Sequence, residues 1–194
     1  MKIIGVDPSL TSTGIAVVED GVLVETYVIE TDMPHGDIDR MIKIVKRFIH
    51  NELIEEKTKP DLIVMEDISY GSKGIIAQLS GLNYILRYIF KEYNIKFVAI
   101  PPKSLKMFIT DNGSASKELM RDVVCDKYEC GSVFDGKIKK VSDIVDAFAL
   151  AKMAEEILNN RNYEGFTAKQ ELAVKKIQKR IHPIIDIHEE SMEI

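Results

Sequence analysis

Lys2-Ile3-Ile4-Gly5-Val6-Asp7-Pro8-Ser9-Leu10-Thr11-Ser12-Thr13-Gly14-Ile15-Ala16-Val17-Val18 opens the chain with two strand-like runs around a tight turn. An apolar, β-branched run ends on a carboxylate at Asp7. Pro8, Ser9 and Gly14 punctuate a tight turn, and a second β-branched run follows over 15–18. The first run lacks clean apolar–polar alternation, which predicts a strand covered on both faces. A carboxylate at the end of such a strand stands at the rim of a sheet, where open sheets place their ligands. An aspartate before a proline also starts Asx turns, and the stretch by itself leaves both readings open.

Working outward, Glu19-Asp20-Gly21 joins the second run to a third at 22–29. Asp-Gly between β-branched runs predicts a hairpin, so the chain is expected to begin with a three-stranded antiparallel meander. Over 37–56, Ile38, Met41, Ile42, Val45, Phe48, Ile49 and Leu53 recur at helical spacing and predict a helix covering one face of the sheet. Residues 61–66 predict a fourth strand that ends on a second carboxylate, Glu66. Successive strand side chains point to opposite faces, so Glu66 and Asp67 are not expected to serve one site. A loop over 70–74 leads to a long helix ending near Tyr93, and 96–100 reads as a fifth strand. Short helices are expected over 103–109 and from Ala115 or Ser116 to about Lys127, with an irregular lysine-rich loop at 129–140. Ser142 reads as the N-cap of a last core helix running to about Leu158.

This order predicts an α/β fold: a mixed five-stranded sheet, meander plus parallel strands, flanked by helices. It places one domain over 1–158. Residues 159–194 then read as a linker, a basic helix at 168–181 stopped by Pro183, and an acidic tail.

With 45% hydrophobic and 29% charged residues among 194, the composition is that of a globular domain with a sizeable core. No apolar run approaches the ~18 residues that span a bilayer, and Asp7 interrupts the N-terminal run too early for a signal peptide. A cytoplasmic protein is expected. Cys125 and Cys130 have no Cys or His partners at metal-binding spacing and read as reduced thiols. The four histidines form no HExxH pattern, and no GxSxG elbow offers a nucleophilic serine. The net charge of −5 argues against a nucleic-acid partner. Its layout does not: residues 1–40 carry eight acidic and two basic groups, whereas 101–140 carry eight basic and six acidic ones.

Ser142-Asp143-Ile144-Val145-Asp146-Ala147 places two aspartates three apart on a helix, on one face. Alone this also describes a solvated first turn, where the helix dipole favours anions. Together with Asp7 and Glu66, at the ends of strands expected to be neighbours, four carboxylates can converge on one edge. Such a cluster is costly without cations. All-oxygen donors select hard ions such as Mg²⁺ or Mn²⁺, and a pair of them clamps the attacking and leaving oxygens of a phosphodiester.

Four motifs then resemble, in order and over roughly 1–158, the RuvC family of Holliday-junction resolvases within the RNase H-like superfamily. They are Gly5-Val6-Asp7-Pro8-Ser9-Leu10-Thr11-Ser12-Thr13-Gly14, Val64-Met65-Glu66-Asp67, the run from Leu105 to Lys117, and Ser142-Asp143-Ile144-Val145-Asp146-Ala147-Phe148-Ala149-Leu150-Ala151. The resemblance implies an RNase H-like fold and a homodimer that nicks two symmetric strands of a four-way DNA junction in recombination and repair. It implies Mg²⁺, with Mn²⁺ able to substitute, held by Asp7, Glu66, Asp143 and Asp146. It places DNA-handling roles on Lys106 and Lys117, the latter also catalytic. Bacterial members carry a phenylalanine near the junction bases where this chain has Ser69, and the following Tyr70, with Lys73, is expected to meet DNA instead. That drift and the appended tail look more like a viral or phage branch. Two alternatives remain: a non-catalytic junction-binding protein on the same fold, and an actin-like ATPase module, which would need a second phosphate-binding half.

Overall fold

The computed structural model describes residues 1–32, 36–54, 59–69, 76–130, 138–159 and 163–186. Five strands form one sheet: β1 (Lys2–Asp7), β2 (Ser12–Glu19), β3 (Val22–Glu30), β4 (Leu62–Glu66) and β5 (Phe97–Ile100), in spatial order β3-β2-β1-β4-β5. The first three pair antiparallel, and β4 and β5 join parallel, as the sequence predicts. Asp20 and Gly21 both take positive φ, 48° and 86°, as the expected two-residue hairpin turn requires.

Every residue of β1 is buried because helices cover both faces of the sheet. On one face Ile4, Val6, Ile15, Val17, Ile63 and Met65 pack against α1 (Asp37–Ile49) and α2 (Ile76–Glu92). On the other, Ile3, Ala16, Val18, Leu62, Val64 and Val98 pack against α5 (Ile138–Leu158). Helices α3 (Pro102–Thr110), α4 (Lys117–Lys127) and α6 (Ala168–Asp186) enclose α5 from outside. A helix held between two layers must be apolar almost all round, and α5 is buried continuously from Ala147 to Ile157.

Three predicted boundaries move. Helix α1 ends at Ile49 and passes into one π-helical turn, His50–Ile54, rather than running unbroken. Helix α5 begins at Ile138, so Ser142 is an interior residue and not its N-cap. The aspartates after it therefore lie beyond the first turn, and the helix dipole is not what accommodates them. Helix α6 continues past Pro183 to Asp186. Proline lacks an amide donor, but its fixed φ is helical, so the helix loses one bond there without ending.

Helix α6 is also not a free appendage. Val174, Ile177 and Ile181 belong to the same apolar cluster as Ile3 and Phe108. The buried Gln170 donates from Nε2 to the Phe108 carbonyl at 3.0 Å, and Arg180 donates from Nη1 to the Ala99 carbonyl of edge strand β5 at 2.8 Å. Cys125 and Cys130 are free thiols. Among the described residues no helix is long and apolar enough to cross a membrane.

Candidate active site

The β1–β4 register, Gly5 opposite Val64 and Val6 opposite Met65, carries on to set Asp7 beside Glu66 at the carboxyl ends of two parallel strands. Strand alternation puts Ile3, Gly5 and Asp7 on the α5 face, and Leu62, Val64 and Glu66 with them. Asp67 falls on the other side, as expected. It is neutralised there, accepting from Arg87 Nη2 at 2.7 Å and Arg180 Nη1 at 3.4 Å.

Two glycines let the helix bring its aspartates close. A Cβ on Gly5 would lie 1.8 Å from the Ala147 carbonyl oxygen, and one on Gly14 would lie 2.1 Å from the Asp143 carbonyl oxygen. Helix α5 therefore rests on bare backbone of β1 and β2. Because Gly14 pairs with Asp7 across the β1–β2 ladder, that seat fixes Asp143 next to Asp7.

The result is a crowded acidic edge. Burial first, and then the charge of Glu66 and of Asp143, hold the Asp7 carboxyl well above the usual carboxylate range. Glu66 is raised mainly by burial, with Asp146 adding to it. Asp146 is pushed up to about 7, by burial first and then by the Asp7 charge. The charges of Glu66 and Asp143 thus act on Asp7, that of Asp146 on Glu66, and those of Asp7 and Asp143 on Asp146.

Two lysines face the cluster. Lys117, the first residue of α4, donates from Nζ to Asp143 Oδ1 at 3.1 Å and to Ser142 Oγ at 3.2 Å. Burial works to lower its pKa, but the bond to Asp143 and the surrounding acids outweigh it and raise it. Ser116 caps α4 by accepting from the Leu119 amide at 3.2 Å, which fixes where Lys117 emerges. Lys106 on α3 donates from Nζ to the Ala115 carbonyl at 2.7 Å, and its charge reaches Glu66 and Asp146. Tyr70 and Lys73 lie outside the described residues.

Two participants escape sequence reading. Ser142, whose position in the sequence reads as a cap, donates from Oγ to Asp143 Oδ1 at 3.3 Å while accepting from Lys117, and so links the two. Asn83, buried on α2, donates from Nδ2 to the Glu66 carbonyl at 2.9 Å and holds the end of β4. A polar residue inside the apolar stripe of α2 was the only signal for it.

The donor set and the unbalanced buried charge suit a hard divalent cation. Among the described residues no three acidic, histidine or cysteine side chains are already gathered in ligating geometry; Lys117 instead offsets part of the charge at Asp143.

Comparison with known proteins gives a consistent result. The profile of the family described as crossover junction endodeoxyribonuclease RuvC matches residues 3–154. A relative of that name from Prochlorococcus marinus (strain MIT 9312) is 29% identical over 170 residues, covering 86% of this chain and 99% of the relative. The Thermus thermophilus RuvC structure aligns with TM-score 0.65 at 19% identity, over 82% of this chain and 96% of that one. T. thermophilus RuvC in complex with Holliday junction substrate aligns with TM-score 0.61 at 20% identity, over 78% and 90%. Helix α6 lies beyond the family match.

Proposed function

This chain belongs to the crossover junction endodeoxyribonuclease RuvC family, and from that premise we propose that it resolves four-way DNA junctions by paired phosphodiester hydrolysis. Family membership leaves no place for the actin-like ATPase reading. The observation that carries the proposal is that Asp7, Glu66 and Asp146, with Asp143 beside them, come from three separate elements to within electrostatic reach of one another, with Lys106 and Lys117 acting on the same group.

RuvC-family nucleases are metal-dependent. In this chain the four carboxylates would hold the ion, and Mg²⁺ suits them best, with Mn²⁺ as a substitute. Bound there, the metal would supply Lewis acidity and an activated water. The protein's part is placement and charge. Buried carboxylates that resist ionising together gain most from a divalent partner. Lys117, half exposed at the start of α4, would turn from Asp143 to a phosphate oxygen and offset charge developing there. Lys106 would hold the neighbouring phosphate, while Ser142 keeps Asp143 oriented. Residues 1–158 would carry this apparatus. Two copies would cut symmetric strands, and the exposed Tyr84 and Tyr88, one turn apart on α2, offer an aromatic face for pairing.

The test is nicking of a mobile four-way junction with Mg²⁺ and with chelator. Asp7→Asn, Glu66→Gln, Asp143→Asn and Asp146→Asn should each lose cleavage by at least about a hundredfold while still binding the junction, because carboxylates hold metal and lysines hold phosphate. Sedimentation of the same samples should give two copies per junction. Near-parental nicking by any one variant removes that residue from the site, and binding without metal-dependent nicking by the parent favours a non-catalytic binder.

A further inference from the structure

The loop between α3 and α4 has two sides. On one, Lys106 of the acidic site reaches the Ala115 carbonyl. On the other, Asn112, Gly113 and Ser114 wall a groove of about 480 Å³ between α3 and α6. Three lysines line it: Lys103, one turn before Lys106 on α3, and Lys169 and Lys176 on α6. All three are exposed, and among the described residues none makes a salt bridge or hydrogen bond. The remaining polar lining is neutral, from Ser104, Asn112 and Ser114, and no carboxylate enters it. Of the nearby acids, Asp111 accepts from Thr167 Oγ1 at 2.6 Å, and Glu171 lines a different concavity, with Tyr163 and Lys175. In a chain of net charge −5, three uncompensated cations in one groove are a local reversal of sign.

The spacing has a physical match. Lys169 and Lys176 stand seven residues apart on one face of α6, roughly 10 Å along its axis. That is about three nucleotide steps of one DNA strand at roughly 3.4 Å each. We infer that the groove between α3 and α6 is a second binding site for the sugar-phosphate backbone of a junction arm, with Lys103, Lys169 and Lys176 contacting phosphates of the duplex that leaves the active site past Lys106. The inference rests on the function proposed above and extends it to a helix beyond the family match. The contacts are electrostatic and carry no sequence preference. Further along the same face Arg180 is bound to Ala99 and Asp67, so the free track ends there.

The experiment uses the full chain and a long-armed four-way junction, with affinity measured by fluorescence anisotropy across a salt series. The combined variant Lys103→Gln, Lys169→Gln, Lys176→Gln should bind about tenfold or more weakly, and the slope of log affinity against log salt should fall by about 2–3, from roughly 0.9 per phosphate contact. Its melting temperature and single-turnover cleavage at saturating protein should match the parent. A control, Lys43→Gln, Lys46→Gln, Arg47→Gln, removes the same charge from the exposed face of α1 across the sheet and should leave the slope near parental. An unchanged slope in the groove variant overturns the inference, and so does an equal loss in the control, since the effect is then total charge alone. If the parent neither binds nor cuts the junction, the proposed function fails first. If the parent does both while the groove variant keeps its slope, only the groove assignment fails.

Discussion

At the scale of single residues, the site is governed by carboxylates that cannot all ionise cheaply. Asp146, pushed up to about 7 by burial and Asp7, binds its proton more tightly folded than unfolded. Its share of stability is therefore fully present below the unfolded carboxyl value, ~3.9, and is lost as pH rises toward and through about 7. Metal-free protein should melt progressively lower from pH 4.5 to 8, and Asp146→Asn should flatten that slope; a parallel slope in the variant would place the titrating group elsewhere. Mg²⁺ should raise the parent's melting temperature more than the variant's, since a ligand stabilises only the state that binds it. The lysines have the opposite sign. Lys117→Ala leaves Asp143 without its ion-pair partner and, on the function proposed above, would leave a phosphate without its cation, so it should slow single-turnover cleavage by roughly 10²–10³. Lys106→Ala should slow it less, since its Nζ is already held by the Ala115 carbonyl. Rapid-quench cleavage of one junction by both variants checks the order.

At the scale of elements, the decisive contact is backbone on backbone, where α5 lies on β1 and β2. The Asp143 carbonyl cannot give way to a methyl group placed 2.1 Å from it. Gly14→Ala must therefore lift the helix, at a cost of about 3 kcal/mol or more, and carry Asp143 away from Asp7. Urea unfolding should show the loss of stability, and metal-dependent nicking should fall with it. A parental midpoint for Gly14→Ala would mean that α5 is not seated as described. Some of this was legible beforehand. Glycine at 5 and 14 and the Asp-x-x-Asp-Ala run were visible as motifs, and strand alternation separated Glu66 from Asp67. The partnership of Gly14 with Asp143 was not, because residues 129 apart in sequence leave no local pattern of their contact.

At the scale of the whole molecule, α6 changes what the last part of the chain is for. Read as sequence, residues 159–194 form a linker, a basic helix and an acidic tail whose removal leaves the fold intact but weakens DNA binding or dimerisation. In the structure α6 covers Phe108, which is fully buried, and satisfies the carbonyls of Phe108 and Ala99. Burial of Val174, Ile177 and Ile181 contributes on the order of 2 kcal/mol each, as an upper estimate. Deleting 163–194 should therefore leave a chain that melts far lower or aggregates. Ile177→Ala, a milder change, should cost about 2–5 kcal/mol. Calorimetry on both variants is the check, and a deletion that melts like the parent would restore the reading of α6 as an appendage.

The sequence alone carried the strands, the mixed sheet and the placement of Asp7 and Glu66 at strand ends. Those follow from period, turn chemistry and the placement of carboxylates at strand ends, all of which act over a few residues. Only the tertiary structure decided that Ser142 lies inside α5 and bridges Lys117 to Asp143, and that Asn83 holds the end of β4. Only it decided that α6 is built into the core with a lysine-lined groove beside it. These depend on which surfaces meet, and that is set by burying apolar area and satisfying backbone carbonyls between segments far apart in the chain, for which neighbouring residues carry no record.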